Sequence, residues 1–257
     1  MAALLRFELR KLLQNKALWI CFGVCAFLLI INGITNLALA KIIKEAAEEM
    51  GQPYESSDSA LTMLKTVFSS NTSTICVVVV SLIACEDFMG DVIKNIYSKG
   101  YSRTQVYFAK LISSLIGFMI ILIGGMIVSF FTGLALFMKV GTMGQNYIPS
   151  LLCIILVALA YFAIYFSLAM IFKKVAPTII LGILGPTGVF LLLAMGDAFI
   201  KNEDISLTDY WLTMLQTNLA LPDVENKTII TSIVLSIILI AGFGCLSFFL
   251  NRRKDAK

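Results

Sequence analysis

The chain of 257 residues is 59% hydrophobic and 14% charged, with a mean hydropathy of +0.90. A water-soluble globular domain has an apolar share nearer 45 to 50%, so the solvent for most of this chain is lipid. The net charge of +4 gives no ground for a nucleic-acid partner, and the complete lack of His removes the usual general base, zinc ligand and Ser-His triad.

A hydrocarbon core of roughly 30 Å needs about 20 apolar residues in helical form. Six such runs are expected, near residues 17–40, 66–85, 111–138, 148–172, 175–200 and 228–250. Only Asp197 interrupts their uncharged character. The period-two pattern of a membrane barrel is missing, so the fold class is an all-α polytopic membrane protein forming a single transmembrane domain.

The opening residues 1–16 place Leu5, Leu9, Leu12 and Leu13 on one stripe, with Arg6, Arg10, Lys11 and Gln14 largely opposite. That pattern fits an interfacial helix on the membrane surface. The run beginning at Ala17 exceeds the usual signal-peptide apolar region of about 7 to 15 residues, so "LALA" before Lys41 is read as the end of a span that stays. Beyond it, Lys41 with Glu45 and Lys44 with Glu48 extend the helix until "GQP" breaks it.

The second run has a polar first half, Ser69, Ser70, Asn71, Thr72 and Ser73. Such groups bond to a neighbouring helix, line a cavity or lie at a subunit interface; equally, the helix starts later. Residues 86–105 then hold a concentration of charge. Within them Phe88, Val92, Ile96 and Met89, Ile93, Tyr97 repeat at helical spacing, with Asp91, Lys94, Asn95 and Ser98 off the stripe. Gly100 is placed to stop this helix and Ser102 to cap the next.

The third run carries Gly124 and Gly125, a site for bending or close packing. Pro149 suits the first turn of the fourth, and Gly185 with Pro186 marks a kink and candidate hinge in the fifth. Asp197 is expected to pair with Lys201 four residues on. Between the fifth and sixth runs, a short amphipathic segment with Trp211, Leu212, Met214, Leu215 and Leu219, capped at Ser206 or Thr208, is too short to cross and is expected to be re-entrant. The six cysteines (Cys21, Cys25, Cys76, Cys85, Cys153, Cys245) read as small buried hydrophobes.

Basic residues set the orientation. With the N-terminus in the cytoplasm, 14 of the 20 Lys and Arg face inward, and ten of the 16 acids face outward. The positive-inside bias therefore puts both termini in the cytoplasm. No G-x-x-x-x-G-K-[ST] phosphate loop occurs, so no ATP hydrolysis by such a loop and no bound cofactor is expected of this chain. Uncharged spans disfavour an ion-coupled stand-alone carrier. A transporter of this kind needs a partner ATPase and an amphiphilic cargo; a non-transporting membrane scaffold that uses the same charged loop for docking is the alternative.

The stretch "ACEDFMGDVIKNIYSKGYSRTQVYFAK" and the order of elements resemble the permease subunits of ABC type-2 exporters. In those proteins an acid ending the second span is followed by a Gly, a short helix, a G-x-S-R turn and a Lys in the third span. The matching positions here are Glu86, Gly90, Gly100, Ser102, Arg103 and Lys110. Asp91 departs from the neutral residue common after that Gly. The resemblance implies a coupling helix over 88–97 (Phe88, Met89, Val92, Ile93, Lys94, Ile96, Tyr97) seated on an ABC ATP-binding subunit, which holds the ATP and Mg. It also implies a second permease subunit, identical or similar, and a bacterial plasma-membrane location. The compact size resembles permeases for bacitracin-like antibiotics, lantibiotics and antimicrobial peptides. Glu86 and Arg103 are expected to interact across the loop.

Overall fold

A computed structural model describes residues 2–50, 59–68, 70–89, 92–141, 144, 146–200, 206–221 and 224–253, with the backbone alone at 2, 70, 89, 200, 252 and 253. The described residues are helical apart from turns and short connections, with no strand among them. Ten α-helices follow one another: α1 (Ala2–Gln14), α2 (Lys16–Glu49), α3 (Ala60–Lys65), α4 (Ser70–Met89), α5 (Val92–Ser98), α6 (Arg103–Phe137), α7 (Tyr147–Phe172), α8 (Val175–Ile200), α9 (Leu212–Ala220) and α10 (Asn226–Arg253). Six of them, α2, α4, α6, α7, α8 and α10, are long and apolar enough to cross a membrane.

Local chemistry sets the breaks. Asn15 has an extended backbone and its Oδ1 accepts from Ala17 N at 2.9 Å, so it ends α1 and caps α2 in one step. α2 then runs to Glu49, where the expected Lys44–Glu48 pair stands at 3.7 Å on the surface. Ser59 caps α3, and Ser102 caps α6 through a full capping box with Gln105. Gly100, at φ +84°, supplies the left-handed turn between α5 and α6.

Helices α4 and α7 occupy the centre. α4 packs on α6, α7 and α8, while α10 lies mainly on α7 and α2 on α6. The aromatic rings of Phe68, Phe118, Phe162 and Tyr161 meet there, with centroids 5.4 to 6.1 Å apart. α6 receives α3 at Gly133, where a Cβ would lie 2.8 Å from the Ala60 Cα. Outside, α2, α8 and α10 expose Phe27, Ile34, Leu184, Leu192, Ile237 and Phe249. Faces of this kind are stable in hydrocarbon and not in water.

The expected second run, 66–85, has its crossing helix start at Ser70, the later start that its polar half left open; α3 is a separate turn and a half before that run, and the Thr66–Phe68 bend follows it. Phe88 and Met89 belong to α4 and Val92–Ser98 forms α5; the two positions between them, which the coupling-helix expectation over 88–97 also spans, lie outside the described residues. On α1 the buried stripe is Leu4, Glu8 and Leu12, one every four residues, while Leu13 is exposed. Gly90, Asp91, Ser69 and Lys201 lie outside the described residues.

Candidate functional site

At the end of the bundle where α1 meets α4, α5 and α6, charge is buried. Glu8, Asp87 and Lys110 are each at most 2% exposed. The Lys110 ammonium donates to Glu8 Oε2 at 3.0 Å and to Asp87 Oδ2, and lies 3.5 Å from the Ile83 carbonyl, so its three hydrogens face three acceptors. The other Asp87 oxygen accepts from Lys11, which also reaches Glu86 at 3.1 Å. A chain of charges, Glu8, Lys110, Asp87, Lys11 and Glu86, thereby joins α1, α4 and α6.

Helical spacing produces this arrangement. Glu8 and Lys11 stand three residues apart on α1 and so share a face; Glu86 and Asp87 lie in the last turn of α4, and Lys110 about two turns into α6. The spans looked uncharged in the sequence because Asp87 and Lys110 fall just beyond the apolar cores. The structure extends both helices past those cores and turns the charges inward. Burial pushes the Glu8 carboxyl above its ordinary value, against the pull of Lys110. Burial draws Lys11 down, but its contacts with Asp87 and Glu86 outweigh that and leave it raised. Glu86, expected to face Arg103, is engaged by Lys11.

The short helix α5 is fastened to the same end. Ile93 and Ile96 are buried in a small cluster with Leu4 of α1 and Val106 and Ala109 of α6, and Phe88, Tyr97 and Tyr101 pack around it. The apolar stripe read as a partner's grip is therefore largely consumed inside the chain. Val92, Lys94, Asn95 and Ser98 remain exposed. Lys173, between α7 and α8, lies over the Phe88 ring at 5.4 Å.

Toward the opposite end, α3, α4, α7, α8 and α9 border an open cavity of about 400 Å³. Ser73 lines it and bonds with the Tyr165 hydroxyl. Of the polar residues singled out on α4, Thr72 is buried and Asn71 exposed. Pro186, in the middle of α8, has its carbonyl held by the Trp211 indole N–H at 3.0 Å, while Gly185 has open space where a side chain would stand. Asp197, expected to meet Lys201, accepts from the backbone N–H groups of Leu207 and Thr208 at 2.6 and 3.0 Å. It thereby anchors the turn that leads into α9, and Ser206 and Thr208 serve this carboxylate rather than capping α9, whose N-cap is Trp211.

Residues 4–187 match the family model described as ABC-2 family transporter protein. The chain belongs to that family. Comparison with curated proteins and with solved structures brought no match. As an ABC-2 family member the protein is a multi-pass membrane permease, a transport component, and the matched residues take in the charge chain, α5 and all of α2 to α7.

Proposed function

We propose that this permease is the membrane half of an ATP-driven exporter, energised by a separate ABC ATP-binding subunit that docks on α5 and holds the ATP and Mg. The observation that carries this reading is the mounting of α5: its inner face is locked by Ile93 and Ile96 while Val92, Lys94 and Asn95 point outward. A push on that outer face is passed to α1 and α6 through packed side chains, and to α4 through the charge chain. In this reading the α1–α5 end is cytoplasmic, as the positive-inside bias requires. Two permease chains form the pathway, since six helices are few to enclose one, and the cargo is an amphiphile such as an antimicrobial peptide, lantibiotic or drug-like molecule leaving a bacterial plasma membrane. The kink at Pro186 with Gly185 serves as the hinge.

The test is co-purification with the ATP-binding subunit. Val92→Asp combined with Lys94→Glu alters only exposed positions, so the permease should fold normally yet lose partner capture and cargo-stimulated ATP hydrolysis at least tenfold. Retention of both by the double variant sinks α5 as the docking element.

A further inference from the structure

We infer that the elbow between α1 and α2 binds one anionic phospholipid, its phosphodiester held by Arg10 and Lys16 and an acyl chain laid along α2. A single residue, Asn15, separates the two helices, so the last turns of α1 and the first of α2 converge on one open cleft of about 630 Å³. Arg10, Lys11 and Lys16 line it together with Glu86. Lys11 is engaged by Glu86 at 3.1 Å and by Asp87, whereas Arg10 and Lys16, both exposed, enter no ion pair among the described residues. A guanidinium presents a planar pair of donors that matches two phosphate oxygens, and an ammonium adds a point charge. Asn15 Oδ1 already accepts from Ala17 N at 2.9 Å, which leaves its NH2 group, like that of Gln14, to donate to the headgroup.

Depth and an apolar path favour a lipid over a free phosphate. Lys16 opens a helix long and apolar enough to cross the membrane, so the cleft stands at the level of the headgroups. Trp19, in the first turn of α2, is exposed and donates from its indole N–H to the Leu13 carbonyl at 3.0 Å. An apolar ring with one polar handle belongs at that same level, and this bond braces the elbow. From Lys16, the residues Ile20, Val24, Phe27 and Ile31 follow at helical spacing, and all four are exposed. One face of α2 thus continues from the cleft as an apolar stripe along which an acyl chain fits. Phe7, exposed on α1 and also lining the cleft, adds a second apolar wall. Lys11 belongs both to the cleft and to the charge chain, so the lipid is seated against the end of the bundle that carries α5.

The purified chain in detergent is titrated with dioleoyl phosphatidylglycerol and, separately, with dioleoyl phosphatidylcholine, and the adducts are read by native mass spectrometry. One phosphatidylglycerol per chain should bind at about tenfold lower concentration than phosphatidylcholine. Arg10→Gln and Lys16→Gln should each weaken it about fivefold; if one fails to fold, the other decides. Arg6→Gln removes the same charge from an exposed position of α1 that does not line the cleft, and should change binding less than about twofold. Equal binding of the two lipids, or a loss from Arg6→Gln as large as that from the cleft variants, overturns the site. Displacement by sn-glycerol 3-phosphate at the lipid's own concentration overturns the lipid in favour of a free phosphate. The measurement uses neither ATP nor a partner, so its failure leaves the exporter reading standing, and loss of partner capture leaves the lipid site standing.

Discussion

Among single residues, Asp87 and Glu8 look alike in burial and differ in work. Asp87 engages two lysines, Lys11 and Lys110, whereas Glu8 is bridged, among the described residues, to Lys110. Removing one partner of a buried ion pair costs about 3–5 kcal/mol, so Asp87→Asn should lower the midpoint of thermal unfolding in detergent by many degrees, read with a thiol-reactive dye on the buried cysteines. Glu8→Gln should cost far less. Its carboxyl already resists ionisation through burial, and the Gln carbonyl still accepts from Lys110. Equal losses for the two variants would remove the distinction. The pH dependence separates them further. Lys11 lies above its ordinary value of 10.5, so its contribution is complete below that pH and is lost as pH rises through the folded value. Glu8 lies above 4.5, so its contribution to stability falls as pH rises from 4.5 through its raised value. Lys11→Met should therefore flatten the alkaline limb of the unfolding midpoint, and it should also carry the Glu8-linked loss to higher pH, because Lys11 helps to hold that carboxyl down.

For the elements, the question is how α3 and α5, both too short to persist alone in water, hold fixed positions. α3 is tied by backbone bonds from Ala60 and Leu61 to the carbonyls of Lys139 and Val140, by Ser129 to Met63, and by Tyr147 to Leu61. It sits directly on Gly133, and backbone rather than a flexible side chain stands at 2.8 Å from the position of a Cβ there. Gly133→Ala should thus cost about 1–3 kcal/mol, visible as a lower unfolding midpoint; no change would mean that α3 shifts freely. α5 is tied by the packing of Ile93 and Ile96, and its approach angle depends on Gly100 at φ +84°. Gly100→Val forces a β-branched residue into the left-handed region at about 1–2 kcal/mol. Partner capture should fall while the midpoint moves only a little, since the cluster around Ile93 and Ile96 is small.

Across the whole molecule, the sequence's apolar runs located all six crossing helices because lipid imposes length and composition strongly. The Ser102 cap, the Gly100 stop and the close packing at Gly124, where the Phe22 ring stands 2.3 Å from the position of a Cβ, were legible for the same reason, as each is a local steric or hydrogen-bonding demand. The charge chain was not. Glu8, Asp87 and Lys110 are far apart in sequence, and each falls at the margin of a run, where a charge reads equally well as solvated. The interior use of Ile93 and Ile96 was hidden likewise, since an amphipathic stripe does not say whether its cover is a partner or its own chain. Three helices long enough to cross, α6, α7 and α8, separate Ser98 from Thr217, so these two exposed positions are expected on opposite sides of the bilayer. With Cys25, Cys76, Cys85 and Cys153 buried, and Cys21 and Cys245 within crossing helices, an impermeant maleimide has little native thiol to reach. In intact cells Thr217→Cys should label at once, and Ser98→Cys only after the membrane is opened. Labelling of both from outside would remove one crossing from the fold, and with it the cytoplasmic placement of α5 on which docking of an ATP-binding subunit depends.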